Sequence, residues 1–86
     1  MRQKYVRHST EGFIVWHKRP GDSGIWHKEM TRMFPTTGEI LSAGFVTFDE
    51  NHLPVCRGYS ESLDLGSRPE DTNALREQWG LPPSED

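Results

Sequence analysis

Between residues 38 and 62 the chain carries two apolar-rich runs, residues 40–48 and 53–62, separated by the polar turn formers Asp49, Glu50, Asn51 and His52. Aromatic, β-branched and small residues dominate both runs, and a loop of that length is common between antiparallel strands, so the stretch predicts a long β-hairpin. With those four residues as the loop, Phe48 faces Leu53, Val46 faces Val55, Gly44 faces Arg57, Ser42 faces Tyr59 and Ile40 faces Glu61. The two-residue period of a strand then sorts the side chains onto two faces. One holds Leu41, Ala43, Phe45 and Thr47 beside Pro54, Cys56, Gly58 and Ser60; it carries no charge and reads as the core face. The other holds Ile40, Val46, Phe48, Leu53, Val55 and Tyr59 with Arg57 and Glu61, an apolar centre with a charged rim. A one-residue change of register would re-sort both faces.

Residues 4–8 and 13–17 repeat the pattern on a shorter scale, joined through Ser9, Thr10, Glu11 and Gly12. Pairing Val6 with Val15 and His8 with Phe13 puts those four on one face and Tyr5, Arg7, Ile14 and Trp16 on the other. Residues 18–24 read as a loop with Pro20, Gly21 and Gly24, and Asp22 or Ser23 stands where a helix cap belongs. The helix predicted over residues 24–34 has an apolar stripe of Trp26, Met30, Met33 and Phe34, and Pro35 ends it. Near the carboxyl end, Ser67 and Glu70 around Pro69 spell a capping box for a helix over residues 68–79, with Leu75 and Trp79 one turn apart and Gly80 as the stop. The element order β-β-α-β-β-α predicts an α+β fold, a four-stranded antiparallel sheet from two β-hairpins with two helices packed on one face. Residues 1–82 read as a single domain and residues 83–86 as a frayed acidic tail.

Composition narrows this picture. A chain of 86 residues with 17 Leu, Ile, Val and Phe and nine aromatics builds one domain with a small core in which aromatic rings supply much of the apolar area. Residues 1–34 hold seven Lys or Arg against three Asp or Glu, whereas residues 35–86 hold three against ten, so a basic first third hides within a net charge of −3. The single Cys56 excludes an internal disulfide and a cysteine-based metal cage within one chain, and its place on the core face reads as a buried, inert thiol. No apolar run approaches the roughly 20 residues of a membrane helix, and no charged-then-apolar leader pattern opens the sequence, so a soluble, cytoplasmic protein with no membrane partner is expected.

The candidate chemistry is sparse. His8, His17, His27 and His52 lack metal-ligand spacing, so no metal is expected. Ser60 and Ser62 lack the glycines of a nucleophile elbow; Glu39, Glu61 and Asp64 read as solvated acids; no glycine-rich phosphate loop is present. These patterns predict a non-enzymatic protein with no cofactor. The amino end of the second helix, at Ser67 and Arg68, offers a weak anion site because Glu70 and Asp71 already occupy its field. The leading expectation is a protein-binding module that uses Val46, Phe48, Val55, Arg57, Tyr59 and Glu61 against a protein partner or a second copy of itself. The alternative is nucleic-acid or other polyanion binding through Arg7, Trp16, Lys18 and Arg19, within a third that also interleaves Arg2, Lys4 and Lys28 with Tyr5 and Trp26.

Overall fold

The computed structural model describes residues 3–17, 21 and 24–84. Its sheet contains β1 (Gln3–His8), β2 (Gly12–Trp16), β3 (Ile40–Phe48) and β4 (Pro54–Arg57), all antiparallel, in the order β2-β1-β3-β4. Between β2 and β3 lies α1 (His27–Met30), continued by a 3₁₀ turn at Thr31–Met33. After β4 come a two-residue ladder of β5 (Tyr59–Ser60) with β6 (Leu65–Gly66), and then α2 (Asp71–Gln78). The α+β class and the four-stranded antiparallel sheet are as the sequence predicts.

Both hairpins differ from the expected register by one residue. In the first, Tyr5 pairs with Val15 and His8 with Gly12, so only residues 9–11 form the loop. Gly12 adopts a φ of 79°, the left-handed residue that closes a three-residue hairpin loop and that a side chain would strain. In the second, Phe48 pairs with Pro54 and Val46 with Cys56, which makes residues 49–53 the loop. Asp49 organises it: its Oδ1 accepts the N–H groups of Asn51 (2.8 Å) and Leu53 (3.0 Å), an Asx turn that draws Leu53 out of the strand. Gly58, with a φ of 92°, then ends β4, so Tyr59 and Ser60 pair with Gly66 and Leu65 and not with Ser42 or Ile40.

The register decides the faces. Tyr5, Phe13, Val46 and Cys56 share one face and pack on Leu75 of α2, with Val15 and Ala74 at the margin. Val6 and Ala43 share the other and pack on Met30 and Phe34, surrounded by Ile14, Trp16, Ile25, Ile40, Leu63 and Leu65. The two helices therefore lie on opposite faces of the sheet, not on one. A slip of one residue between Arg7 and His8 lets Ile40 join Ala43 on the α1 face. Of the predicted first-helix stripe, Met30 and Phe34 are buried while Trp26 and Met33 remain 67% and 58% exposed. The helical part is shorter than expected, and the caps expected at Asp22 or Ser23 fall outside the described residues.

Helix α2 also starts later than the capping box implies. Asp71, not Glu70, reaches back, its Oδ2 accepting the Arg68 N–H at 3.0 Å. Asp71 is fully buried, and the same carboxylate takes the Tyr5 hydroxyl at 2.6 Å and Arg7 Nη1 at 3.0 Å. Burial alone would raise its pKa, but the bonds from Tyr5, the Arg68 amide and Arg7 hold it below the ordinary carboxylate value. The Ser42 hydroxyl also lies near enough to favour the anion, yet it is outside hydrogen-bond geometry and is buried without a partner. Further along α2, Thr72 accepts the Cys56 N–H (3.0 Å) and Arg76 Nε donates to the Pro54 carbonyl (3.0 Å), covering the outer edge of β4. At the opposite edge, Gln78 accepts the Phe13 N–H (2.8 Å) and donates to the Phe13 carbonyl (3.1 Å). One short helix thus satisfies backbone groups on both edge strands.

Candidate functional site

On the α1 face the sheet presents Lys4 and Phe45, Cα partners on β1 and β3. The start of α1 stands on one side of them and the turn after β5 on the other, and between lies a cleft of about 610 Å³. The α1 side contributes Trp26 and His27, with Lys4 of β1, and the β5 side Tyr59, Glu61 and Ser62; Phe45 of β3 also lines the cleft. The Lys28 N–H donates to Ser62 Oγ at 3.2 Å and ties the two sides together.

Each side chain is set by local structure. The Trp26 N–H donates to Glu29 Oε1 at 3.1 Å, which fixes the entry to α1 and leaves the indole facing solvent. Tyr59 is 49% exposed, and its hydroxyl donates to the Asp64 carboxylate, which fixes the ring's edge. Lys4 Nζ donates to the Ile25 carbonyl. His27 is buried, donates Nε2–H to the Gly44 carbonyl at 2.6 Å and meets the Phe45 ring edge-on, with centroids 5.2 Å apart at 87°. Burial lowers the His27 pKa; the bond to Gly44 opposes this, and the Lys4 charge adds to the lowering, so the ring is held below its ordinary value as a neutral imidazole with Nδ1 as its acceptor. Glu61 is exposed, and its carboxylate has no hydrogen-bond or ion-pair partner among the described residues. The arrangement offers two open aromatic surfaces, one unpaired acid and one cation held by a carbonyl.

The residues expected to form one binding face are divided. Val46 is fully buried beneath Leu75 because α2 packs on the side of the sheet to which it points. Phe48, two residues along the same strand, projects to the α2 side at the sheet's end and is 44% exposed. Val55 and Arg57 alternate with Pro54 and Cys56 and so project the other way; Val55 is half-buried and Arg57 exposed. Only Tyr59 and Glu61 come together, in the cleft. The expected grouping of Arg7 with Trp16 is corrected too: Arg7 is ion-paired to Asp71 and stacked over Phe13 on the α2 face, whereas half-buried Trp16 packs on the α1 face. Lys18 and Arg19 lie outside the described residues. At Ser67 and Arg68 the chain's own Asp71 carboxylate fills the expected anion position. Cys56 is buried, and burial foremost pushes its thiol up to about 12, as a core-face cysteine should behave.

The chain matches no family model, no curated protein and no solved structure. The site therefore stands on its own chemistry. Among the described residues no group of three or more His, Cys, Asp or Glu is placed to hold a metal, and no helix is long and apolar enough to cross a membrane. Sequence reasoning placed Trp26 in the core and did not single out His27. The usable signal was the pairing of Lys4 and Trp26 within the basic, aromatic first third, since both line the cleft.

Proposed function

We propose that this chain is a small protein-binding module whose cleft between α1 and the β5 turn seats an extended segment of a protein partner. The observation that carries this reading is that Trp26 and Tyr59, 67% and 49% exposed, line one cleft, whereas the other exposed rings, Phe48 and Trp79, do not line it. Large aromatic side chains left open beside a concavity are what binding hot spots are made of. The burial of Val46 argues for the cleft over the broad hairpin face. Polyanion binding is less well supported, because Arg7 is committed to Asp71 and the cleft carries an unpaired carboxylate.

Panning random short peptides displayed on phage against the wild-type protein, with the Trp26→Ala, Tyr59→Ala double variant as comparison, tests this. The expected result is a recurring peptide pattern whose members bind wild type about tenfold or more tightly than the variant. Peptides that bind both proteins equally, or no enrichment at all, would overturn the cleft as the binding site.

A further inference from the structure

We infer that the partner segment carries a basic side chain, lysine or arginine, whose charged head lies against Trp26 and Tyr59 and pairs with Glu61; this rests on the cleft being the binding site. The faces of aromatic rings attract cations, indole most strongly, and both rings are open to a ligand. The Tyr59 hydroxyl donates to Asp64, so the ring's polar edge is occupied and a carboxylate stands behind it. Glu61, on the same side of the cleft, is the lining carboxylate without a partner among the described residues. Among the lining residues on that side the fixed charge is Glu61, with Asp64 behind the ring; Arg57, the Cα partner of Phe45, projects to the same face outside the lining.

Lys4 is the one cation in the lining; it stands on β1, and its ammonium donates to the Ile25 carbonyl at the entry to α1. Its remaining N–H bonds suit a carbonyl of the partner's backbone, which places the partner's basic head toward Glu61 and away from Lys4. An acidic head would meet Glu61 and Asp64 at once. A purely apolar head would desolvate Glu61 without giving it a partner, the kind of mismatch that separates ligands of equal size.

The test is titration of the ¹⁵N-labelled protein with blocked pentapeptides, Gly-Gly-X-Gly-Gly, in which X is arginine, lysine, norleucine or glutamate. Arginine and lysine peptides are expected to shift the Trp26 indole and the Tyr59 and Glu61 amides, and to bind about fivefold or more tightly than norleucine, with glutamate weakest. Glu61→Gln, an exposed substitution with no fold contact to lose, should reduce arginine binding about fivefold, and Glu61→Lys should abolish it. Equal binding of norleucine and arginine within the cleft, or arginine binding unchanged by Glu61→Gln, would overturn the basic head while leaving the cleft as the site. Shifts confined to other surfaces, or none, would also overturn it, and the phage panning then decides the cleft reading independently.

Discussion

The two faces of the sheet are held by different physics. Helix α2 is fixed to its face by directional bonds along its whole length: Asp71 to Tyr5 and Arg7, Thr72 to Cys56, Arg76 to Pro54 and Gln78 to Phe13. Helix α1 is a single turn with one buried bond to the sheet, from His27 to the Gly44 carbonyl, beside the packing of Met30 and Phe34 on Val6 and Ala43. Directional bonds specify one position for a helix, while apolar packing is tolerant of small shifts. The polar-stapled face is bonded from end to end of its helix; the other face leaves a cleft bordered by the exposed Trp26 and Tyr59. Directional bonds are concentrated on one side and the exposed-ring cleft lies on the other.

The largest effect should come from Asp71→Ala, which strands the buried Tyr5 hydroxyl and removes the anion that Arg7 pairs with. The pair is fully buried on the Asp71 side and 22% exposed on the Arg7 side, so the loss should lie near the low end, about 3 kcal/mol, of the cost of breaking a buried pair, and urea denaturation measures it. The more conservative Asp71→Asn isolates the charge. Because the folded carboxyl has a lowered pKa, its charge stabilises fully above the unfolded value of about 4 and is lost as pH falls from there through the folded value. Wild type should lose stability over that interval more steeply than Asp71→Asn. Parallel curves would show that the staple does not depend on ionisation.

Met30→Ala tests the opposite face. Met30 is fully buried, and truncating such a residue costs about 2–5 kcal/mol according to how far the site relaxes. A value near the low end is expected, because a single helical turn held by packing can settle into the space. A cost above that of Asp71→Ala would reverse the comparison.

These contrasts explain what the sequence made legible. Strand and helix order followed from periodicity, because the runs around Val6, Ile14, Val46 and Leu75 carry it. Register did not, because it was decided by two loop details: the positive φ of Gly12 and the Asx turn at Asp49, each shifting the pairing by one residue. That single step exchanged the faces of β2 and β4; Val46 kept its side of β3 and belongs to the core because α2 packs on that side. Asp71 looked like an ordinary helix-end acid because its partners, Tyr5 and Arg7, lie more than 60 residues away in the chain. The cleft was legible only in part: Tyr59 and Glu61 were singled out, but Trp26 at helical spacing from Met30 resembled a core residue.

A smaller effect is expected at the edge of β2. Gln78 meets both the N–H and the carbonyl of Phe13, standing in for a neighbouring strand. Gln78→Ala should cost about 1 kcal/mol, the usual net worth of such bonds near the surface. It also uncovers a strand edge, so light scattering at high concentration should rise relative to wild type. Gln78→Glu keeps the acceptor but turns a carboxylate oxygen toward the Phe13 carbonyl, and should be at least as destabilising as alanine at neutral pH. If glutamate is tolerated, the donor half of the clamp contributes little and the edge is guarded chiefly by its acceptor.

The smallest stability change should be at Trp26. An indole that is 67% exposed buries little on folding, and its backbone N–H, not its ring, makes the bond to Glu29. Trp26→Ala should therefore leave the urea midpoint nearly unchanged, within the roughly 0.5 kcal/mol typical of surface positions. This near-null result sharpens the comparison between faces, because a large ring that contributes nothing to the fold yet occupies the rim of a cleft is there at the expense of solubility. The same variant should lose the peptides that wild type selects. A loss of 2 kcal/mol or so, of the size seen when a packed aromatic is truncated, would instead assign Trp26 to the α1 core and remove the cleft's principal open surface.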